Sequence, residues 1–165
     1  MEGAIFGCPA EWLTMLPPGI RRAGRTAELT EHVWDILVLT SQGCAALGAA
    51  AAVCRILLAP GECPPVVASQ LGAEKVITYG MSARDSLTLS SLTEPVLCVQ
   101  RVLPRPDGTW IEPQEFPLPE LPGRADRLLP LLGARLLQMP LTEALTGLRI
   151  WKLEAGRDGE GPAIR

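Results

Sequence analysis

The chain predicts an α/β fold: a Rossmann-like parallel sheet flanked by helices, with an antiparallel hairpin appended to it. Three observations carry this reading. Residues 54–80, CRILLAPGECPPVVASQLGAEKVITYG, read as strand, Pro-Gly turn, short helix, strand and closing glycine. The runs Ile56-Leu57-Leu58 and Val76-Ile77 are continuously apolar, as in strands covered on both faces of a parallel sheet. After residue 86 the pattern changes to alternation, and Asp107-Gly108 separates two further strand-like runs, which is a hairpin signal.

Taken in order, Ala4-Ile5-Phe6 predicts a first strand ending at Gly7-Cys8-Pro9, with a helix-like PAEWLTML after it. Residues 20–31 set Arg21, Arg22 and Arg25 against Glu28 and Glu31, which predicts a small solvated loop or sheet edge. Residues 34–40, WDILVLT, form a second strand. Residues 42–53 are Ala-rich and predict a helix packed closely on the sheet, capped by Thr40 or Ser41. The third and fourth strands are residues 55–59 and 75–79, joined by a helix over 65–71. Residues 86–92 (SLTLSSL) read as a strand with one wet face, and 95–103 and 109–116 as the arms of the hairpin. Pro113 places the last arm at an edge. Residues 125–138 and 141–151 predict two C-terminal helices, the first bent by Pro130. The expected organisation is one domain over 1–152, with the hairpin region at 86–116, the C-terminal helices within 125–151 and a flexible tail at 153–165.

At 165 residues and 47% apolar content, the chain suffices for one well-packed core, built from aliphatic side chains because aromatics are only 4%. A net charge of −3 provides no basic excess to grip a phosphate backbone, so nucleic acid is not an expected partner. The N-terminus lacks the basic start of a signal peptide, and the longest membrane-span candidate, 43–59, is interrupted by Arg55. A cytoplasmic protein with no membrane partner is expected. Cys8, Cys44, Cys54, Cys63 and Cys98 show no C-x-x-C spacing and His32 stands alone, so no metal site is expected and the cysteines read as ordinary thiols of a reducing compartment.

No catalytic motif is present, and no cofactor is implied: Gly7 is the only glycine in its loop, so a G-x-G-x-x-G fingerprint is absent, as is a G-x-x-x-x-G-K-[ST] loop. Tight ATP binding is therefore not expected. Ligands of open α/β sheets sit beyond the carboxyl ends of the strands. On that rule Gly7, Cys8, Ser41, Gly61, Gly80 and Ser82 are the candidate ligand-binding residues. Cys8, at a strand-to-helix junction, is the best candidate for a reactive thiol. Helix capping explains Thr40 and Ser41 as well as anion binding through bare amides does. Asp35 reads as a satisfied residue of its strand, with a catalytic role as the alternative. Arg101 would pair across the hairpin with Glu112 or Glu115, or else contact an anionic ligand.

A family resemblance adds to this. The run VITYGMSARDSLTLSSL (76–92) resembles a segment in the central domain of Mur ligases, which build the peptidoglycan stem peptide. There an ITYG-like strand end is followed by a polar turn and a strand leading into a small antiparallel sheet. RILLAPGECPPVVASQL is similar to the strand, acidic turn and helix before it, and LPELPGRADRLLPLLGARLL to the family's Leu-Pro-Gly turn and helix, so the likeness spans roughly 55–138. The ATP-binding glycine-lysine-threonine loop is missing. The family's metal-binding glutamate and histidine have no counterpart, and Arg124 and Ala125 stand where its asparagine would be. The resemblance therefore implies a link to cell-envelope metabolism but no ligase activity. The YGMS, CVQR and EPQEF runs also resemble those of short uncharacterised bacterial proteins.

The expected function is a non-catalytic module that binds an unknown small molecule or a protein. The alternative is a small enzyme acting on a nucleotide- or sugar-type substrate, with Cys8 as nucleophile. A third reading is a structural subunit, for instance a homo-oligomer assembled through residues 128–137.

Overall fold

A computed structural model describes residues 1–146 and Leu148. Among these residues an eight-stranded sheet has the order β10-β7-β6-β5-β4-β3-β1-β2, and β8 and β9 form a separate two-stranded hairpin. The strands are β1 (Gly3–Phe6), β2 (Ile20–Ala23), β3 (Val33–Leu39), β4 (Val53–Pro60), β5 (Lys75–Tyr79), β6 (Leu87–Leu89), β7 (Val96–Val99), β8 (Leu103–Pro104), β9 (Trp110–Ile111) and β10 (Gln114–Pro117). β1 to β6 pair in parallel, β7 runs against β6, and β10 runs against β7. The helices are α1 (Thr26–Thr30), α2 (Ser41–Ala46), α3 (Val66–Gln70), α4 (Ala125–Gln138) and α5 (Leu141–Ala144), and a 3-10 turn covers Ala10–Met15. A mixed α/β architecture with a mostly parallel sheet and an added hairpin is borne out.

The period of two along each strand divides the core between the two faces of the sheet. Ile5, Ile36, Val38, Ile56, Leu58 and Ile77 point to one face, where Trp12, Met15 and the leucines of α4 cover them. Phe6, Leu37, Leu39, Leu57 and Ala59 point to the other, under Leu29 of α1, Leu47 and Val67 of α3. From β1 the chain steps outward to β2 on the α4 side, returns past β1 through α1 on the opposite side, and continues through β3, β4 and β5. The direction of travel along the sheet therefore reverses between β1 and β3.

Several expectations need correction. Residues 20–23 form an edge strand with Arg21 and Arg22 exposed, the sheet-edge alternative of the reading, while residues 26–30 form α1, which was not expected. The Ala-rich segment is helical only to Ala46, and Gly48 adopts φ +57°, which ends the turn that follows. β6 has no wet face: Leu87, Thr88 and Leu89 are all buried, with α4 packed against the strand. The hairpin divides in two. β8 and β9 pair at Leu103↔Ile111 across the Asp-Gly turn, while β7 and β10 pair at Val99↔Gln114 within the main sheet. Three residues of one arm, 100–102, face two of the other, 112–113, so a bulge separates the two ladders. Leu128 to Leu137 of α4 are core residues, which removes the apolar assembly surface expected there. The helix expected over 141–151 is seen as α5, which ends at Ala144 with Leu145 and Thr146 in a turn; residues 147 and 149–151 and the expected tail at 153–165 lie outside the described residues.

Candidate functional site

The carboxyl ends of β1, β3, β4 and β5 border a cleft of about 940 Å³, at the position where the chain reverses direction along the sheet. Such reversals leave a crevice, because the connections on either side leave toward opposite faces. Gly7, Thr40 and Ser41, Pro60 and Glu62, and Tyr79 with Gly80 supply the strand ends. Trp12 and Met15 of the 3-10 turn form an apolar wall with Leu128 and Leu129 of α4. Glu11, Arg124, Asp126 and Arg127 bring charge to the rim.

Thr40 sets the floor. Its hydroxyl donates to the Gly7 carbonyl at 2.9 Å and accepts from the Gly43 amide at 3.0 Å, so it caps α2 and ties it to β1. A Cβ on Gly7 would lie 2.1 Å from Thr40 Oγ1, and Gly7 has φ +84°. Both space and backbone angle demand glycine there. Capping thus accounts for Thr40, while Ser41 turns its hydroxyl to Glu62, donating to Oε1 at 3.3 Å. Tyr79 donates its buried hydroxyl to the Leu39 carbonyl at 2.7 Å. Burial first, and the Glu62 charge second, raise its pKa, so it stays a neutral phenol.

Gly61 and Gly80 are glycine for want of space, and Gly80 also adopts a positive φ of +158°. Each makes room for Asp85, which is 4% exposed. A Cβ on Gly61 would stand 2.0 Å from Asp85 Oδ1, and one on Gly80 2.5 Å from Oδ2. Ser82 belongs to the same turn: its amide donates to Asp85 Oδ2 at 3.0 Å and its hydroxyl accepts from the Arg84 amide. This carboxylate-centred turn returns the chain so soon that β5 and β6 share only the Tyr79↔Leu87 pair.

Of the candidate residues, Gly7, Ser41 and Gly80 line the cleft, whereas Cys8, Gly61 and Ser82 are not part of its lining. Cys8 is 3% exposed and donates to the Pro9 carbonyl, and burial pushes its thiol up to about 11. The expected activation of Cys8 is therefore corrected: desolvation outweighs the nearby Arg22 charge. Arg101 makes no ion pair with Glu112 or Glu115; its guanidinium donates to the Arg84 carbonyl and braces the Asp85 turn from the edge side. Asp35 accepts from the Glu2 amide at 2.9 Å and meets Arg55 at 3.2 Å, near the start of β3 and so away from the cleft. Cys44 and Cys63, read as free thiols, are joined in a disulfide between α2 and the turn after β4. Cys8, Cys54 and Cys98 are free.

Sequence reasoning missed Trp12, Glu62, Arg124 and Arg127. The α4 residues reach the cleft only because that helix packs back over the strands, which no local pattern announces. Among the described residues, no group of three or more His, Cys, Asp or Glu could hold a metal ion, and no helix is long and apolar enough to cross a membrane. Comparison with protein-family models, curated proteins and solved structures finds no match.

Proposed function

We propose that this domain is a Rossmann-like, cytoplasmic binding module that holds a small organic ligand in the cleft at the strand carboxyl ends. The observation that carries the reading is the position of the cleft: its volume of about 940 Å³ lies where the chain reverses between β1 and β3. A volume of this order accommodates a drug- or nucleotide-sized molecule. The parallel order β2-β1-β3-β4-β5, with helices on both faces, supports the Rossmann-like relation. The lining suits a ligand with an apolar body against Trp12, Met15 and Leu128 and polar groups toward Ser41, Gln42 and Glu62.

The likeness of residues 55–138 to the central domain of Mur ligases directs the first choice of ligands to nucleotide-linked sugars of cell-envelope synthesis. The test is calorimetry and ligand-observed NMR with uridine diphosphate sugars, free nucleotides and simple sugars. One class is expected to bind with 1:1 stoichiometry. Ser41→Trp, which fills the cleft, should weaken it by about tenfold or more, or 1.4 kcal/mol, while Lys75→Ala at the opposite end of the sheet leaves it unchanged. Absence of binding across all three classes, or binding indifferent to Ser41→Trp, would overturn the reading.

A further inference from the structure

We propose that the Cys44–Cys63 disulfide is a reversible redox latch on the rim of the cleft. The bridge joins two segments that each furnish cleft residues: Cys44 follows Ser41 and Gln42 within α2, and Cys63 directly follows Glu62 after β4. Its Cα atoms are 6.5 Å apart, within the usual span of such a bond. Both cysteines are half-buried, whereas Cys8 and Cys54 are sealed in the core. A dithiol reductant can therefore meet the bridge in the folded protein.

Little else holds the two segments together at the rim. The exposed hydrogen bond from Ser41 to Glu62 is 3.3 Å long, and α2 and α3 are each less than two turns. The far end of the α2 connection is fastened separately, since Gln70 Nε2 donates to the carbonyls of Gly48 and Ala50 at 2.7 and 2.6 Å. Loss of the bridge thus loosens the cleft end of these segments and leaves the other end in place. In the reaction a dithiol of the glutaredoxin or thioredoxin type attacks one sulfur, the Cys44–Cys63 bond breaks, and two protein thiols form as the donor closes its own disulfide. Two electrons and two protons pass to the protein. A bridge that is accessible, single and set beside three free thiols is what a redox-sensing protein of a reducing compartment would carry, rather than the full pairing of a secreted domain.

Control of ligand binding by this latch rests on the binding reading above, so the test separates the two. The full chain is equilibrated in glutathione buffers and its thiols are trapped by alkylation and mapped by mass spectrometry. Cys44 and Cys63 should titrate together in the folded protein. Hydrogen exchange of the reduced form, and of the Cys44→Ser/Cys63→Ser variant, should be about tenfold faster or more over residues 41–46 and 61–66, with β3 and β4 unchanged. A bridge reduced only on unfolding, or equal exchange in both forms, overturns the latch. If the exchange difference is present but no ligand binds in either form, the latch stands and the binding reading falls. If a ligand binds equally in both forms, control of the cleft is excluded.

Discussion

The close approach of Gly61 and Asp85 can be tested directly. Because a Cβ at position 61 would stand 2.0 Å from Asp85 Oδ1, Gly61→Ala should destabilise the fold by about 2–4 kcal/mol. In an Asp85→Ala background the same substitution should cost at least ~1 kcal/mol less, as expected of groups in direct contact. Urea unfolding of the four proteins measures this; additive effects would mean that Gly61 is needed for a reason other than the carboxylate. Asp35 makes a smaller, pH-dependent contribution. The Glu2 amide, and secondarily Arg55, lower its pKa, so its stabilising effect is full above the unfolded value of about 3.9 and fades as pH falls through the folded value. Asp35→Asn should cost less than ~1 kcal/mol at neutral pH, since the pair is partly exposed, and the difference should vanish in acid unfolding near pH 2. Thiol chemistry follows burial. Cys54 is pushed up to about 12 and Cys8 to about 11, both by desolvation, so alkylation of the native protein should reach the half-buried Cys98 first. Peptide mapping after brief labelling decides; early modification of Cys8 would place it nearer solvent.

Among the elements, α4 carries a cation that replaces several local hydrogen bonds. Arg135 is 7% exposed and donates to the carbonyls of Ala144, Met15 and Thr146 at 2.6, 2.7 and 2.6 Å. It therefore fastens α5 and the 3-10 turn to α4 with no carboxylate involved, and burial lowers its pKa. Arg135→Ala should cost about 3 kcal/mol or more, because two buried carbonyls and a part-buried one lose a charged donor. Lysine should restore only part, for want of the planar fork. Thermal unfolding measures both. The elements also show why some of the structure was legible and some was not. β3 and β4 were readable because strands covered on both faces write continuous apolar runs, as in Ile56-Leu57-Leu58. β5 was readable from Val76-Ile77, although Val76 is 46% exposed and only one face of that strand is covered there. β2 was legible only as a loop or sheet edge, because an edge strand with Arg21 and Arg22 in solvent resembles a charged loop. In the cleft, Gly7 and Ser41 were recoverable from the rule that strand ends bind ligands. The bridge between Cys44 and Cys63 depends on α2 and the β4 turn lying side by side, a consequence of β3–β4 pairing that cysteine spacing alone does not reveal.

For the molecule as a whole, the order of the sheet predicts the order of opening. β3 and β4 are interior strands of the sheet with helices on both faces, whereas β2 and β10 are edges of four residues each. Hydrogen exchange should be slowest in the amides of β3 and β4 and fastest along β10, whose ladder has a partner on one side only. Uniform protection across the sheet would indicate that no part opens before the whole does.

The same arrangement bears on how the protein is made. The middle of one face of the sheet awaits α4, which touches β3, β4, β5 and β6 and follows all ten strands in the chain. During synthesis Ile36, Ile56 and Leu58 therefore emerge well before the leucines that cover them. The nascent strands must keep that apolar face from other chains until residue 138 has left the ribosome, so the domain closes in one late step, and crowding at that interval, more than the strength of the finished core, sets its risk of aggregation.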